Sequence, residues 1–179
     1  LLSQYGVNRA SVGMQTGDTD LLKLIGRHHT EEDVSNAMSL LRKHGIDNIS
    51  LDLMYSLPTQ TMNQLEASIH DAVSMHPQHL SLYSLTIEEN TVFGKKGYQH
   101  LDDDTEADMY EMICRTLPQY GLEQYEVSNF AETGYQSIHN SAYWNYRDFY
   151  GIGCGASGKE GMIRYDHTKD LHAYLDDPL

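Results

Sequence analysis

Apolar residues recur along the first half of this chain with two different periods. Three short stretches rich in leucine, β-branched and aromatic residues predict strands at residues 8–15, 48–55 and 80–87. Between them, apolar residues recur at helical spacing, and Thr30 and Thr61 precede these runs in the position of helix caps. Strand, helix, strand, helix and strand in this order predict right-handed βαβ units, and hence a parallel sheet or part of a (β/α) barrel.

The pattern changes after residue 87. The sequence predicts a helix over 105–120, a short strand over 124–127, a strand over 162–165 and a helical end over 169–175. Gly121 stops the first of these helices, and the segment from there to Gly161 is loop-like apart from the short strand. The predicted fold class is therefore α/β, followed by a less regular C-terminal part.

Successive side chains of a strand point to opposite faces, so each predicted strand has one apolar face and one that is polar or small. We assign the following residues to the polar face: Arg9, Ser11, Gly13, Gln15, Ser50, Asp52, Met54, Leu82, Ser84 and Thr86. A closed eight-stranded barrel fills its interior with bulky branched residues. A polar interior therefore favours an open or wide barrel that holds a ligand.

Three of these polar residues lie toward the C-terminal ends of their strands, where parallel α/β folds build their sites: Gln15, Asp52 and Thr86. A buried Asp52 needs a partner, either ligand hydroxyl groups or a cation. Arg27 is a candidate for that cation, or for a clamp on the ligand. The alternative, with equal support, is a core aspartate satisfied by a nearby Arg or Ser.

Composition excludes several classes of function. The 179 residues contain 12 Lys plus Arg against 26 Asp plus Glu, a net charge of -14, with no basic block, so neither nucleic acid nor an anionic membrane is an expected partner. No apolar run approaches the roughly 20 residues of a membrane span. Two cysteines, Cys114 and Cys154, suit the reducing cytoplasm and exclude a cysteine-rich metal site within this chain.

One short stretch combines metal-ligating and planar side chains, His139-Asn140-Ser141-Ala142-Tyr143-Trp144. An imidazole can ligate a metal, an amide can hold it in one tautomer, and two flat side chains suit a planar ligand such as a porphyrin. The alternative is that Tyr143 and Trp144 are hydrophobic anchors and His139 is a hydrogen-bonded surface histidine. A glycine-rich segment at 151–158 would let backbone amides approach a ligand, but it lacks the spacing of a phosphate-binding loop.

Several longer segments together resemble one family. Residues 6–15, 24–30, 48–58, 79–88 and 124–131 resemble, in order, the radical S-adenosylmethionine enzymes of the oxygen-independent coproporphyrinogen III oxidase type. The resemblance implies a partial (β/α)6 barrel with an α+β C-terminal extension. It also implies a Cys-x-x-x-Cys-x-x-Cys loop whose [4Fe-4S] cluster binds S-adenosylmethionine. The chain matches from about the fourth strand onward, so barrel strands 4 to 6 are expected in 1–100 and the extension in 101–179.

The resemblance also implies roles for individual residues. Positions that match the family's cofactor contacts are Gln15, Arg27, Asp52, Thr86 and Ser157. His139, Asn140, Tyr143 and Trp144 are similar to the motif of the heme-chaperone branch, whose members bind heme and deliver it to apoproteins. Ser56 and Thr59 stand where the family usually has Gly, and Ser157 stands where the chaperone branch commonly has His.

The expected function is thus that of a radical S-adenosylmethionine heme chaperone. Since the cluster-binding cysteines are absent from this chain, it should be inactive alone. One alternative is the oxidase itself, which decarboxylates coproporphyrinogen III to protoporphyrinogen IX. Another is a non-radical (β/α) barrel fragment whose polar interior is structural.

Overall fold

A computed structural model describes residues 1–177, which form two compact units. The first unit ends at Gln136 and the second begins at Ser137. The first half of the first unit contains a 3-10 helix Ser3–Tyr5, β1 (Arg9–Gln15), α1 (Thr19–Leu24), α2 (Glu31–Lys43), β2 (Asn48–Tyr55), α3 (Met62–Ser74) and β3 (His79–Ser84). Its second half contains α4 (Val92–Lys95), α5 (Asp103–Thr116), a 3-10 helix Leu117–Tyr120, β4 (Glu123–Gln124) and β5 (Asn129–Ala131). The second unit contains α6 (Ile138–Trp144), β6 (Ser157–Glu160), β7 (Ile163–Asp166) and α7 (Leu171–Asp176).

The first unit is built on a five-stranded sheet in the order β1-β2-β3-β5-β4. β1 pairs with β2 in parallel, and β2 pairs with β3 in parallel, as the strand-helix-strand order predicts. β5 lies antiparallel to β3, and β4 lies antiparallel to β5. The predicted α/β fold class with a parallel sheet is therefore confirmed.

Local sequence signals set the ends of the two long crossover helices. At the start of α2, the Thr30 side chain accepts from the Asp33 amide while the Asp33 side chain accepts from the Thr30 amide. Thr61 and Gln64 form the same reciprocal pair at the start of α3. Each capping box satisfies two backbone donors that the first helical turn leaves free, so the predicted cap positions are confirmed.

One face of the sheet carries the hydrophobic core of the first unit. The helices and strands contribute these fully buried side chains, among others: Met14, Met38, Ile49, Leu51, Leu53, Leu65, Ile69, Leu80, Leu82, Met109, Ile113 and Phe130. Helix α5 belongs to this core through Met109 and Ile113, although it lies beyond residue 100. The predicted division at residue 100 between barrel and extension stays a prediction. The boundary between the two compact units lies between residues 136 and 137.

The face predicted for the third strand is wrong. Leu82 lies opposite Leu53 in the parallel register and is buried in the core, whereas Ser81 lies opposite Asp52. The strand also ends at Ser84, so Thr86 lies in the loop that follows it. Leucine recurs on both parities across this stretch, and only the pairing with β2 decides which parity faces the helices.

The C-terminal prediction is also wrong in part. The single strand predicted at 124–127 is replaced by the two short strands β4 and β5, and the predicted loop around His139 is the helix α6. β6 forms within the predicted loop because it pairs with β7 across the turn at Gly161. Neither α6 nor β6 has an apolar stripe, which is the signal that would have identified it. Within residues 1–177, no helix is long and apolar enough to cross a membrane.

Candidate functional site

The polar face of the β1–β2 pair holds the carboxylate of Asp52. The Ser11 hydroxyl lies 2.8 Å from Asp52 Oδ1 and 2.7 Å from Oδ2, so it donates its single proton to this carboxylate. Asp52 is half-buried. This hydrogen bond is one that the alternative interpretation predicts, in which Asp52 is a core aspartate satisfied by a nearby Arg or Ser. The carboxylate nevertheless keeps acceptor positions that one hydroxyl cannot fill, and these can receive a ligand hydroxyl.

Gln15 lies on the same face through an irregularity of the strand. The register shifts between Gly13 and Gln15, and Gln15 takes a φ of 65°, a left-handed conformation that non-glycine residues rarely adopt. Its Nε2 atom lies 2.5 Å from the point that a Cβ on Gly13 would occupy. Since Gly13 pairs with Asp52, the Gln15 amide lies over the sheet on the Asp52 side. The structure thus places these two predicted residues on the same face of the sheet.

A basic residue near Asp52 is Arg9, which sequence reasoning did not single out. Its Nη1 atom donates to Asn48 Oδ1 at 3.0 Å and to the Tyr135 carbonyl oxygen at 2.9 Å. Burial lowers the pKa of the Arg9 guanidinium, and the charges of Tyr125 and then Asp52 act against that shift. Arg9 is therefore a second candidate, beside Arg27, for the cation that accompanies Asp52.

A buried histidine continues this polar network along β3. His79 Nδ1 lies 2.7 Å from the Ser50 hydroxyl, and its Nε2 lies 2.8 Å from the Tyr125 hydroxyl. Burial, reinforced by the charge of Arg9, lowers the pKa of His79 to about 4. The imidazole is therefore neutral at physiological pH. Extending the predicted third strand by one residue would have placed His79 on the same face as Ser81.

Among residues 1–177, neither Arg27 nor Thr86 forms a hydrogen bond with Asp52. Arg27 follows Gly26, which has a φ of 72°, just beyond helix α1, and its side chain is exposed. In the range 1–177 the Arg27 side chain makes no hydrogen bond or ion pair. Thr86 lies in the loop after β3, so strand parity does not support its role. Their assignment as cofactor contacts rests on the family resemblance.

The His139 motif lies on helix α6 of the second unit. The Ser137 hydroxyl caps this helix by accepting from the Asn140 amide at 3.2 Å. His139 and Tyr143 lie four residues apart on one helix face, with the Tyr143 hydroxyl 3.1 Å from His139 Nε2. The Tyr143 ring also packs edge to face against Phe149, with ring centroids 4.6 Å apart.

An open cleft of about 800 Å³ lies beside the motif. Its lining consists of Tyr143, Trp144, Tyr146, Phe149, Ser157, Lys159, Met162 and Arg164. The cleft therefore contains the two motif aromatics, whereas His139 and Asn140 stand outside its lining. Its volume falls within the range of small-molecule pockets.

Ser157 belongs to this cleft, as the first residue of β6. Its hydroxyl donates a short hydrogen bond to Asp166 on β7. Two residues on, Lys159 Nζ donates to the Tyr146 carbonyl oxygen at 2.8 Å and to Asp148 Oδ1 at 3.1 Å. This contact lowers the pKa of the Asp148 carboxyl. Ser157 was predicted to contact a cofactor, and the structure places it beside the motif aromatics.

Sequence reasoning missed the basic and aromatic residues that complete the cleft. Phe149, Lys159 and Arg164 carry no motif. Lys159 pairs with Arg164 in the β6–β7 hairpin and with Phe149 through an isolated bridge. A signal existed in Gly161, which takes a φ of 58° at the turn between the two strands. That glycine would have predicted the hairpin and the residues that share its face.

The described residues do not fit an iron–sulfur cluster. Cys114 lies in α5, where its thiol is 3.6 Å from Gln124 Oε1, and the Cys154 thiol donates to the Thr168 carbonyl oxygen at 3.2 Å. Among residues 1–177, no group of three or more His, Cys, Asp or Glu side chains is arranged to hold a metal ion. That the cluster ligands lie outside this chain stays a prediction.

Comparisons with known proteins fit the geometry of both units. Residues 1–72 match the Radical SAM superfamily. The chain is 43% identical over 180 residues to the heme chaperone HemW of Bacillus subtilis, a match that covers 98% of this chain and 48% of that protein. It is 42% identical over 154 residues to HemW of Escherichia coli, which covers 86% of this chain and 41% of that protein. The chain therefore spans about half the length of the curated relatives it matches.

The fold also matches a solved structure. Coproporphyrinogen III oxidase (HemN) from Escherichia coli, described as a radical SAM enzyme, superposes with a TM-score of 0.81 over 98% of this chain and 45% of that one. At 19% sequence identity this likeness shows the fold alone. The sheet of the first unit is thus part of a fold that is known to carry radical S-adenosylmethionine chemistry in that enzyme.

Proposed function

We propose a function from the premise that this chain belongs to the radical SAM superfamily, in the heme-chaperone branch of the coproporphyrinogen III oxidase-like proteins. The protein binds S-adenosylmethionine on the polar face of the sheet and heme at the cleft of the second unit. It then delivers heme to apoproteins. The observation that carries this proposal is the cleft itself, because the motif aromatics Tyr143 and Trp144 line an open cavity rather than a packed core.

The first unit supplies the cofactor-binding part of this proposal. Asp52 fits a ligand with hydroxyl groups, since it is half-buried and holds one serine donor. The Gln15 amide lies on the same side, over Gly13. Arg27 and Thr86 are the other cofactor contacts of this unit that the resemblance implies. Ser157, which the resemblance also implies, belongs to the second unit. A [4Fe-4S] cluster with bound S-adenosylmethionine supplies reductive one-electron chemistry, and its ligands come from outside the residues described.

The second unit supplies the heme-binding part. The rings of Tyr143 and Trp144 offer flat apolar surface to a macrocycle, and Trp144 remains 58% exposed, so a ligand can reach it. His139 stands one helical turn before Tyr143 and outside the cleft lining, and its exposed imidazole is the motif's candidate ligand for heme iron. An open, exposed site suits a protein that must release heme as well as bind it. Asn140 accompanies them on the same helix.

Two other functions have weaker support. The decarboxylating oxidase is supported by a likeness of fold alone, at 19% identity, whereas the relatives at 43% and 42% identity are heme chaperones. The non-radical barrel fragment disagrees with the match of residues 1–72 to the Radical SAM superfamily.

The setting proposed for the protein follows from its composition. The two cysteines are free thiols, which suits the reducing cytoplasm. A net charge of -14 opposes binding to nucleic acid or to anionic lipid. The partners we propose are therefore heme or a porphyrinogen, together with heme-accepting apoproteins.

Three variants of the intact protein test whether heme and S-adenosylmethionine bind at separate sites. His139→Ala should lose most of the heme Soret shift in an absorbance titration and keep its affinity for S-adenosylmethionine, measured by calorimetry. Trp144→Ala should weaken heme less, because it loses stacking area but keeps the imidazole. Asp52→Ala should lose affinity for S-adenosylmethionine and keep its heme binding. Removing a half-buried acceptor leaves hydrogen-bond donors of S-adenosylmethionine unpaired.

His172→Ala is the matched control, since His172 is an exposed histidine of the second unit that lies on α7 and not on the helix of the motif. It should bind both ligands as the wild type does. If heme binds equally well to the wild type and to His139→Ala, the motif is structural and the oxidase becomes the better proposal. An unchanged affinity for S-adenosylmethionine in Asp52→Ala would remove the cofactor role of that carboxylate.

A further inference from the structure

The cleft of the second unit has a charge opposite to that of the chain as a whole. Two of its lining residues are basic, Lys159 and Arg164, and none is acidic. The full sequence contains 26 acidic and 12 basic residues, so an acid-free lining is not what composition alone predicts. Lys159 and Arg164 lie opposite each other in the register of β6 and β7. The two cations therefore stand together on one wall of the cleft.

These two cations differ in whether they are free to bind a ligand. The Lys159 ammonium already contacts the Asp148 carboxylate at 3.1 Å, and its side chain is only 14% exposed. Arg164 is exposed on β7. Across residues 1–177 the Arg164 guanidinium forms neither a hydrogen bond nor an ion pair. The neighbouring carboxylate of Asp166 accepts from Ser157.

An unpaired guanidinium beside two aromatic rings has a specific chemical complement. Its fork of N–H donors matches the two oxygens of a carboxylate. The rings of Tyr143 and Trp144 match a flat apolar surface. A ligand that satisfies both is a planar macrocycle with carboxylate side chains, and a neutral or esterified macrocycle would leave the arginine unused.

We propose that Arg164 is the residue of this cleft that binds the carboxylate side chain of a tetrapyrrole, while Tyr143 and Trp144 contact its ring. The assignment rests on the proposed heme function and adds to it the recognition of an acidic group. It does not require a metal in the macrocycle, so the metal-free porphyrin dicarboxylate is recognised in the same way. Lys159 is already paired with Asp148, so we assign it a structural role in the wall of the cleft.

The test compares hemin with hemin dimethyl ester, in which both carboxylates are blocked, on the intact protein in detergent-matched buffer. Absorbance titrations of Arg164→Gln should show about a fivefold weaker affinity for hemin, the size expected for one exposed charge pair. The ester should bind the wild type and Arg164→Gln alike. Arg164→Lys should recover only part of the hemin affinity, because it restores the charge but not the fork of N–H donors. The affinity for protoporphyrin IX should change across these variants as the affinity for hemin does.

Arg147→Gln is the matched control, because Arg147 is an exposed arginine of the same unit that does not line the cleft. It should bind hemin as the wild type does. Equal hemin affinity in the wild type and Arg164→Gln would overturn the assignment while leaving the heme function intact. A variant that loses hemin and ester equally would also overturn it, since the loss would then not concern the carboxylate. If the wild type binds neither ligand, the proposed function fails together with the inference.

Discussion

The protonation state of His79 is controlled by its surroundings in the first unit. Its ring is 1% exposed and is hydrogen-bonded on one side to Ser50 and on the other to Tyr125. Burial lowers its pKa to about 4, below the ordinary value of 6.5. A protonated imidazole at this position would lose water without gaining a carboxylate partner, and the guanidinium charge of Arg9 acts against it.

This shift predicts how stability depends on pH. Above pH 6.5 the His79 ring is neutral in both the folded and the unfolded chain, so protonation of His79 does not reduce the free energy of unfolding there. As pH falls from 6.5 to 4 only the unfolded chain takes up the proton, and we expect the free energy of unfolding to fall by about 3 kcal/mol from this group. His79→Gln should be less stable at pH 7.5, but its stability should fall less steeply within this window in urea unfolding series.

His28→Gln is the control for this measurement, because His28 is exposed. Its stability should follow the wild type across the same pH range. A slope for His79→Gln as steep as that of the wild type would mean that His79 is protonated in the folded protein. The lowered pKa would then be wrong.

At the scale of elements, helix α5 is tied to the ends of two neighbouring strands by one carboxylate. Glu106 accepts from the Ser56 hydroxyl just after β2 and from the Ser84 hydroxyl at the end of β3, both at 2.7 Å. Glu106 lies in the first turn of α5, where a carboxylate also interacts favourably with the helix dipole. The structure shows that its side chain also positions the helix against the sheet.

Glu106→Ala should therefore destabilise the protein by about 1 to 3 kcal/mol, because it leaves two partly buried hydroxyl groups without their acceptor. The matched control on the same helix is Glu111→Ala. The Glu111 side chain is 74% exposed and lies 3.9 Å from Arg115, so its removal should cost less than about 0.5 kcal/mol. Denaturant midpoints at constant slope measure both changes. Equal losses in the two variants would contradict the tie between α5 and the sheet.

At the scale of the whole molecule, the two units differ in how they are stabilised. The first unit has a core of fully buried apolar side chains. Between residues 137 and 177, no apolar side chain is fully buried, and aromatic side chains such as Trp144 and Tyr150 remain exposed. Local hydrogen bonds and edge-to-face ring contacts hold the second unit together. Such regions open at lower free energy than a packed sheet.

Hydrogen exchange of the intact protein should show this difference directly. Backbone amides of 137–177 should exchange faster than those of β1, β2 and β3, because fewer buried contacts resist local opening. Saturating heme should slow exchange in 137–177 more than in the sheet, since a ligand stabilises the state that binds it. S-adenosylmethionine serves as the reciprocal ligand and should protect the sheet. Protection by heme confined to the sheet would contradict a binding site in the second unit.

Most of the first unit could be predicted from the sequence because its signals are local. β2 occupies 48–55 as its apolar and β-branched composition predicts, and the capping boxes at Thr30 and Thr61 begin their helices where threonine and its reciprocal partner require. The His139 motif was also visible, since it lies within six consecutive residues. The sequence alone therefore determined the parallel βαβ order, the caps and the candidate heme-binding residues.

Tertiary structure decided which residues share a site. The face of β3 depends on pairing with β2, and the surroundings of His79 depend on Tyr125, 46 positions away. Arg164 reaches the cleft only because β7 pairs with β6. These contacts join residues that are distant in the chain, and their energies depend on register and burial. The local sequence pattern specifies neither the register nor the burial, so only the folded chain brings these side chains together.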